Sequence, residues 1–206
     1  MMNLIKKLVT GLAALAVFGA IQTHAAEVGK PAPAFTLTDS NGKSHQLSDF
    51  KGKTVVLEWI NHECPFVVKH YSGGNMQGLQ KTYTGKGVVW LSICSSAPGT
   101  QGHLSAADWN KTTAEKKASS TAVLIDEDGS VGKLYGAKTT PQMYVINAEG
   151  VLVYSGAIDS IKSTSADDIA KAENYVSKAL DEVLAGKPVT TATTAPYGCS
   201  IKYAKK

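Results

Sequence analysis

Three cysteines, Cys64, Cys94 and Cys199, are the residues of this chain whose type and setting promise covalent chemistry. Cys64 stands between a β-rich apolar run, Thr54 to Ile60, and a helix-like segment that opens at Pro65. Proline is favoured at the first helical position, so Pro65 makes Cys64 the expected N-cap. A sulfur placed there faces unpaired N–H groups and the positive end of the helix dipole, and such cysteines have pKa values lowered from about 8.5 to about 3.5–7.5. The consequence is a thiolate, the nucleophilic form. His62 and Lys69 would add positive charge and Glu63 would oppose it, which fixes the direction of the shift and not its size. The alternative is a buried cysteine acting as a small hydrophobe; the polar flank Asn61-His62-Glu63 speaks against it.

An odd number of cysteines leaves at least one thiol unpaired or reactive. Cys94 falls at the carboxyl end of a second apolar run, 87–94, where reactive groups of open α/β sheets gather. A plain packed cysteine is the preferred reading, with a redox partner of Cys64 as the alternative. Glu58 interrupts the first apolar run, and a carboxylate there must be paired, solvated or protonated. It is a candidate proton acceptor for the thiol region; a strand residue pointing to a polar edge is the competing reading.

The elements that must position these residues follow from the pattern. Phe35-Thr-Leu-Thr alternates like a strand, Asn41-Gly42 is a hairpin turn and Ser44-His-Gln-Leu the return, with His45 expected at the surface. The helix from Cys64 carries Val67, Tyr71, Leu79 and Tyr83 on one face, and Gly73-Gly74 should kink it. A strand ending at Cys94, a Ser105-capped helix with the solvated His103 before it, a strand at Thr121 to Ile125 and a short helix from Val131 follow. Thr139-Thr140-Pro141 precedes strand Gln142 to Ile146, which must run antiparallel to Val151 to Tyr154 because the turn between them is so short. Ser165 and Asp168 read as a capping box for a last helix with Ile169, Val176, Leu180 and Leu184 on its apolar face, ended by Gly186 and Pro188. From Val189 the Thr- and Ala-rich tail is expected to be mobile as far as Tyr197. The alternation predicts an α/β fold, a mixed sheet with helices on both faces.

The chain has 206 residues, 43% of them hydrophobic, enough for one core plus extensions. Residues 1–25 read as a secretory signal: Lys6 and Lys7, an apolar run from Leu8 to Ile21, and a small-residue cleavage site. Residues 26–188 would form the domain and 189–206 a tail carrying Cys199. The formal charge of +4 falls to +2 without Lys6 and Lys7, too little to suggest a nucleic-acid partner. No arginine occurs, so no bidentate guanidinium contact can be built. Export, most simply to a periplasm, would put all three cysteines where disulfides persist.

A strand ending in Trp59, the cysteine-capped Cys64-Pro65-Phe66-Val67, and Thr140-Pro141 before an antiparallel hairpin resemble the thioredoxin fold. Cys64 to His70, Tyr135-Gly-Ala, Val153 to Asp159 and Gly198 to Lys202 are similar to peroxiredoxin-like redoxins with a C-terminal cysteine, relatives of the alkyl hydroperoxide reductases. The resemblance implies a thioredoxin-like fold with an N-terminal β-hairpin extension. It implies a cis Pro141 against Cys64, with the Thr140 backbone offered to an incoming peptide or peroxide. Cys64 would be the attacking thiolate and Cys199 a candidate resolving partner, supported by Pro65, Asn61, Trp59 and Lys69. Two departures stand out. Val67 replaces the second cysteine of thioredoxins, and Asn61 replaces the Thr or Ser of peroxiredoxins, which also carry an arginine this chain lacks; Lys69 offers only a point charge in its place.

Three functions compete. The first is an exported thiol oxidoreductase acting on a peroxide or a protein disulfide or thiol, reset by an external thiol, without cofactor, metal, nucleic acid or, after signal removal, membrane. The second is a binding module that kept the fold, lost turnover, and docks a protein or captures thiols. The third, copper or zinc held by Cys64, His62 and His70, matches no standard ligand spacing.

Overall fold

Val55 to Trp59 (β3) is buried at all five positions, and its alternate side chains feed two different cores. The computed structural model describes residues 25–205, so the expected signal segment lies outside the described residues except for its last position. A strand covered on both faces must be flanked by helices, and parallel neighbours need crossovers, which is what the chain supplies. β3 runs parallel to Val89–Cys94 (β4), which runs parallel to Ala122–Ile125 (β5). The hairpin Thr36–Asp39 (β1) and Ser44–Gln46 (β2) adds antiparallel to β5. Gln142–Ile146 (β7) adds antiparallel to the other side of β3 and is followed by Leu152–Gly156 (β8). The seven-stranded order is β2-β1-β5-β4-β3-β7-β8.

The helices are Pro65–Ser72 (α1), Asn75–Gly85 (α2), Ala106–Glu115 (α3), Ser130–Leu134 (α4) and Tyr175–Leu184 (α5). Val56, Ile60 and Trp90 meet Val67, Tyr71, Met76, Trp109 and Leu180 on one face, so α1, α2, α3 and α5 cover it. Leu57, Trp59 and Leu91 meet Val131, Tyr135 and Phe35 on the other, under α4 and the N-terminal segment. Thr139–Thr140 (β6) stands apart from the main sheet and pairs with Cys199–Ser200 (β9).

Several expectations are corrected. The helix from Cys64 does not merely kink: Gly74 adopts φ 73°, a left-handed geometry that ends one helix and caps the next. The predicted helix at Ser165 is a 3-10 turn, Ala166–Lys171, and α5 starts afresh behind Asn174, whose side chain accepts from Ser177 N at 2.9 Å. Leu184, expected on the buried face of that helix, is exposed. His45 is buried, not at the surface, because its Nε2 lies 2.8 Å from Asp39 Oδ2. His103 is only partly solvated, with Nε2 2.6 Å from Glu127 Oε1.

Candidate functional site

The chain leaves β3 at Trp59, turns through residues 60–63 and enters α1. Asn61 shapes that turn: its carbonyl accepts from Cys64 N at 3.0 Å and its Oδ1 from Glu63 N at 2.9 Å. Cys64 is the N-cap with φ −77° and ψ 124°, Pro65 is the first helical residue, and the Cys64 carbonyl accepts from Val67 N and Val68 N. The Cys64 sulfur is joined to Cys199 across 135 residues, with Cα atoms 5.9 Å apart. In this oxidised state it takes no hydrogen bond from the first turn, contrary to the thiolate picture, because a disulfide sulfur carries no charge for those donors to hold. Cys64 is 0% exposed and Cys199 is half-buried over it.

Across the sulfur lies the Thr140-Pro141 peptide, which is cis, with Thr140 O 3.0 Å from Cys64 Sγ. The Thr140 backbone is already paired, in register with Cys199. Thr140 Oγ1, buried, has no hydrogen-bond partner among the described residues. Gly198 approaches so closely that any Cβ there would run into the Thr140 carbonyl, and its φ of 147° is one that side chains avoid. Gly198→Ala is therefore expected to unseat β9 and to lower the fraction of Cys64–Cys199 disulfide formed in a glutathione redox buffer several-fold, read by thiol alkylation and mass spectrometry. An unchanged fraction would show that the close approach does not hold the tail.

The tail is packed, not mobile. Thr190 N donates to Glu182 Oε2 (2.9 Å), Ser155 N to Ala192 O (3.1 Å) and Ala157 N to Thr194 Oγ1 (2.9 Å) before Tyr197, and Ile201 N donates to Lys138 O (3.0 Å), Ala97 N to Lys202 O (2.9 Å) and Tyr203 OH to Ala137 O (2.8 Å) after it. Composition misled here because Thr and Ala say nothing about the backbone edges the segment meets.

The anticipated positive charges do not reach the thiol. Lys69 is fully buried and donates to Asp159 Oδ2 (3.1 Å) and Ile161 O (2.9 Å). His62 packs against Tyr71 and Trp109, and burial, with Lys116 adding to it, pushes its pKa down to about 4, so it is neutral at pH 7. His70 faces Asn75 and Tyr197 with its two ring nitrogens. These partners leave His62 and His70 without the convergence on Cys64 that metal binding would need, and no group of three or more His, Cys, Asp or Glu among the described residues is placed to hold a metal.

Trp59, expected beside the substrate, lies on the opposite sheet face from Cys64, packed on Tyr135 and Tyr144 and donating to Ser95 Oγ. Cys94 is a free, buried thiol 3.4 Å from Gly102 O, and burial raises its pKa; in this structure it is a packed cysteine and not the partner of Cys64. Glu58 does not reach a polar edge. It is fully buried and accepts from Tyr71 OH, Gln80 Nε2, Trp90 Nε1 and Ser92 Oγ at 2.7–3.1 Å. Two residues about the site were not singled out from the sequence, Asp159 and Tyr197; a carboxylate just after an apolar strand and a Tyr beside Gly198-Cys199 were the signals.

A sequence model described as the AhpC/TSA family matches residues 28–155. The chain belongs to the AhpC/TSA family. Within the family's reach it is similar to the thiol-disulfide oxidoreductase ResA of Bacillus thuringiensis subsp. konkukian, 30% identical over 127 residues, covering 62% of this chain and 68% of the relative. ResA of Bacillus subtilis strain 168 is 27% identical over 132 residues, covering 61% and 64%. Among solved structures, an uncharacterized conserved protein of Geobacillus kaustophilus superposes with a TM-score of 0.74 at 29% identity over 87% of this chain and 94% of that one. A hypothetical protein of Sinorhizobium meliloti 1021 gives 0.73 at 26% identity over 89% and 98%. The thioredoxin-like architecture of a redoxin is thus shared along nearly the whole described chain, and the family match covers Cys64 but ends before Cys199.

Proposed function

We propose that this family member is an exported thiol-disulfide oxidoreductase in which Cys64 and Cys199 form the redox pair. The observation that carries the reading is the bond between a helix-capping cysteine and a tail cysteine, closed beside the Thr140-Pro141 peptide. In the reduced protein the Cys64 thiolate, stabilised by the start of α1, attacks one sulfur of a partner disulfide and expels the other as a thiolate that takes up a proton. Cys199, as thiolate, then attacks Cys64 Sγ and releases the partner's second thiol. Two electrons pass to the partner and the Cys64–Cys199 bond closes. Two external thiols reset it: the first attacks Cys199, the more exposed residue of the pair, and expels Cys64 as a thiolate, and the second attacks the external sulfur of that mixed disulfide and releases Cys199.

Disulfide exchange is favoured over peroxide reduction by the absence of arginine and by Asn61 in place of a hydroxyl residue, which weaken the orientation of a peroxide. The ResA relatives, which are thiol-disulfide oxidoreductases, favour the same reading. The apolar segment within 1–25 and a disulfide across the site support export. Residues 26–188 then act as the redoxin domain and 189–206 as its built-in second thiol.

The test compares reduced wild type, Cys64→Ser and Cys199→Ser in reaction with glutathione disulfide and with hydrogen peroxide. Wild type should react faster with the disulfide. Cys64→Ser should lose at least 100-fold in rate, and Cys199→Ser should accumulate glutathione on Cys64. Equal rates for wild type and Cys64→Ser would leave only the binding module, and a preference for peroxide would move the chemistry to peroxidase.

A further inference from the structure

Four buried polar residues have no part in the exchange just described. Lys69 and His70 come from α1, Asp159 from the segment after β8, and Tyr197 from the tail, and none is more than 7% exposed. Lys69 Nζ donates to Asp159 Oδ2 and to Ile161 O. Asn75 Nδ2 lies 2.9 Å from His70 Nδ1, which makes that nitrogen the acceptor and places the ring proton on Nε2, 3.3 Å from the Tyr197 hydroxyl oxygen. The Tyr197 hydroxyl then donates to Asp159 Oδ1. The Tyr197 ring stands edge-on to Phe66 at 5.7 Å, with Lys69 Nζ 5.7 Å from its centroid.

A lysine and an aspartate out of water need complete pairing, and the second oxygen of Asp159 accepts from both the Tyr197 hydroxyl and Ile161 N (3.1 Å). The cluster thus joins three sequence features that looked separate: Cys64 to His70, the stretch ending at Asp159, and Tyr197-Gly198-Cys199. Its place along the chain gives it a use. Tyr197 is two residues before Cys199, whereas the next upstream anchor, Thr194, is five residues before it.

We propose that Tyr197 is a positioning residue, whose seat on Asp159 and His70 keeps Cys199 within reach of Cys64 while the bond between them is open. The inference rests on the redox role proposed for that pair. Two extended residues reach about 7 Å and five about 17 Å. Losing the seat lengthens the free span before Cys199 from two residues to five, which lowers its effective concentration at Cys64 by up to roughly 4-fold by chain-length scaling, while the Ile201 anchor two residues after it keeps its reach near that of the shorter span. Ile201 and Tyr203 hold the far side of Cys199 in either case, so the change isolates the near side.

The experiment equilibrates full-length wild type, Tyr197→Phe and Tyr197→Ala with glutathione buffers and measures the ratio of Cys64–Cys199 disulfide to dithiol. Tyr197→Ala should lower the equilibrium constant about 3- to 4-fold, a shift of about 14–18 mV. Tyr197→Phe, which keeps the ring in place and loses both hydrogen bonds, should fall between the two. In Tyr197→Phe and Tyr197→Ala the fraction of Cys199 alkylated at short times under reducing conditions should rise, while Cys94 stays protected. An equilibrium constant unchanged within twofold in Tyr197→Phe and in folded Tyr197→Ala overturns the seat while leaving the redox pair intact. If Tyr197→Ala does not fold, Tyr197→Phe alone decides. A wild type that never closes the bond overturns the pair itself, and the seat with it.

Discussion

Reduction of the Cys64–Cys199 bond is expected to lower the free energy of unfolding by up to about 5 kcal/mol and the melting temperature by roughly 10–20 °C. The cross-link closes a loop of 135 residues, and the entropy it removes from the unfolded chain grows with the logarithm of that length. For a chain of this size each kcal/mol moves the midpoint by about 2–4 °C. Thermal unfolding with and without reductant measures it. Cys64→Ser should melt where reduced wild type does and ignore the reductant, while Cys94→Ala should keep the full shift because Cys94 is outside the bond. A wild-type midpoint indifferent to reductant would mean that the bond does not staple the fold in solution.

Glu58→Leu is expected to cost about 4 kcal/mol or more, among the largest effects of any substitution in the core. The leucine would leave Tyr71 OH, Gln80 Nε2, Trp90 Nε1 and Ser92 Oγ without their shared acceptor, and each buried donor left unpaired costs about 1–3 kcal/mol. Glu58→Gln keeps the shape and one acceptor oxygen, so its effect should be smaller. The two variants also isolate a pH dependence. Burial raises the Glu58 pKa above its ordinary 4.5, against the pull of its four donors. The folded state therefore binds this proton more tightly than the unfolded state does. The stabilisation is fully present below pH 4.5 and is lost as pH rises through the folded value, so the gap between wild type and Glu58→Gln should narrow over that window. Urea unfolding of both proteins from pH 4 upward reads it. A constant gap would show that the carboxyl group titrates as it does in the open chain.

Much of the architecture was legible because it rests on local rules. The period-2 hairpin around Asn41-Gly42, the apolar run of β3, the Pro65-started helix and the short turn between β7 and β8 each follow from the residues involved. Where two local signals competed, the reading slipped. Ser165 looked like a helix start and does cap a turn, yet Asn174 nine residues on is the one that caps α5. His45 looked like a surface residue until Asp39, across the β1–β2 turn, gave it a partner.

The sequence by itself determined that a cysteine would cap a helix at the end of a central strand, because Pro65 and the apolar run act through bonds within a few residues. What that sulfur meets was implied only by the family resemblance, which pointed to Cys199 and Pro141, and by no local pattern. Its bond to Cys199, the Thr140 carbonyl beside it, the burial of Glu58 under four donors and the pairing of Lys69 with Asp159 and Tyr197 all join segments 13 to 135 residues apart. Only the folded chain brings these groups together, since side-chain pairing across elements depends on sheet order and register, and no local pattern encodes either.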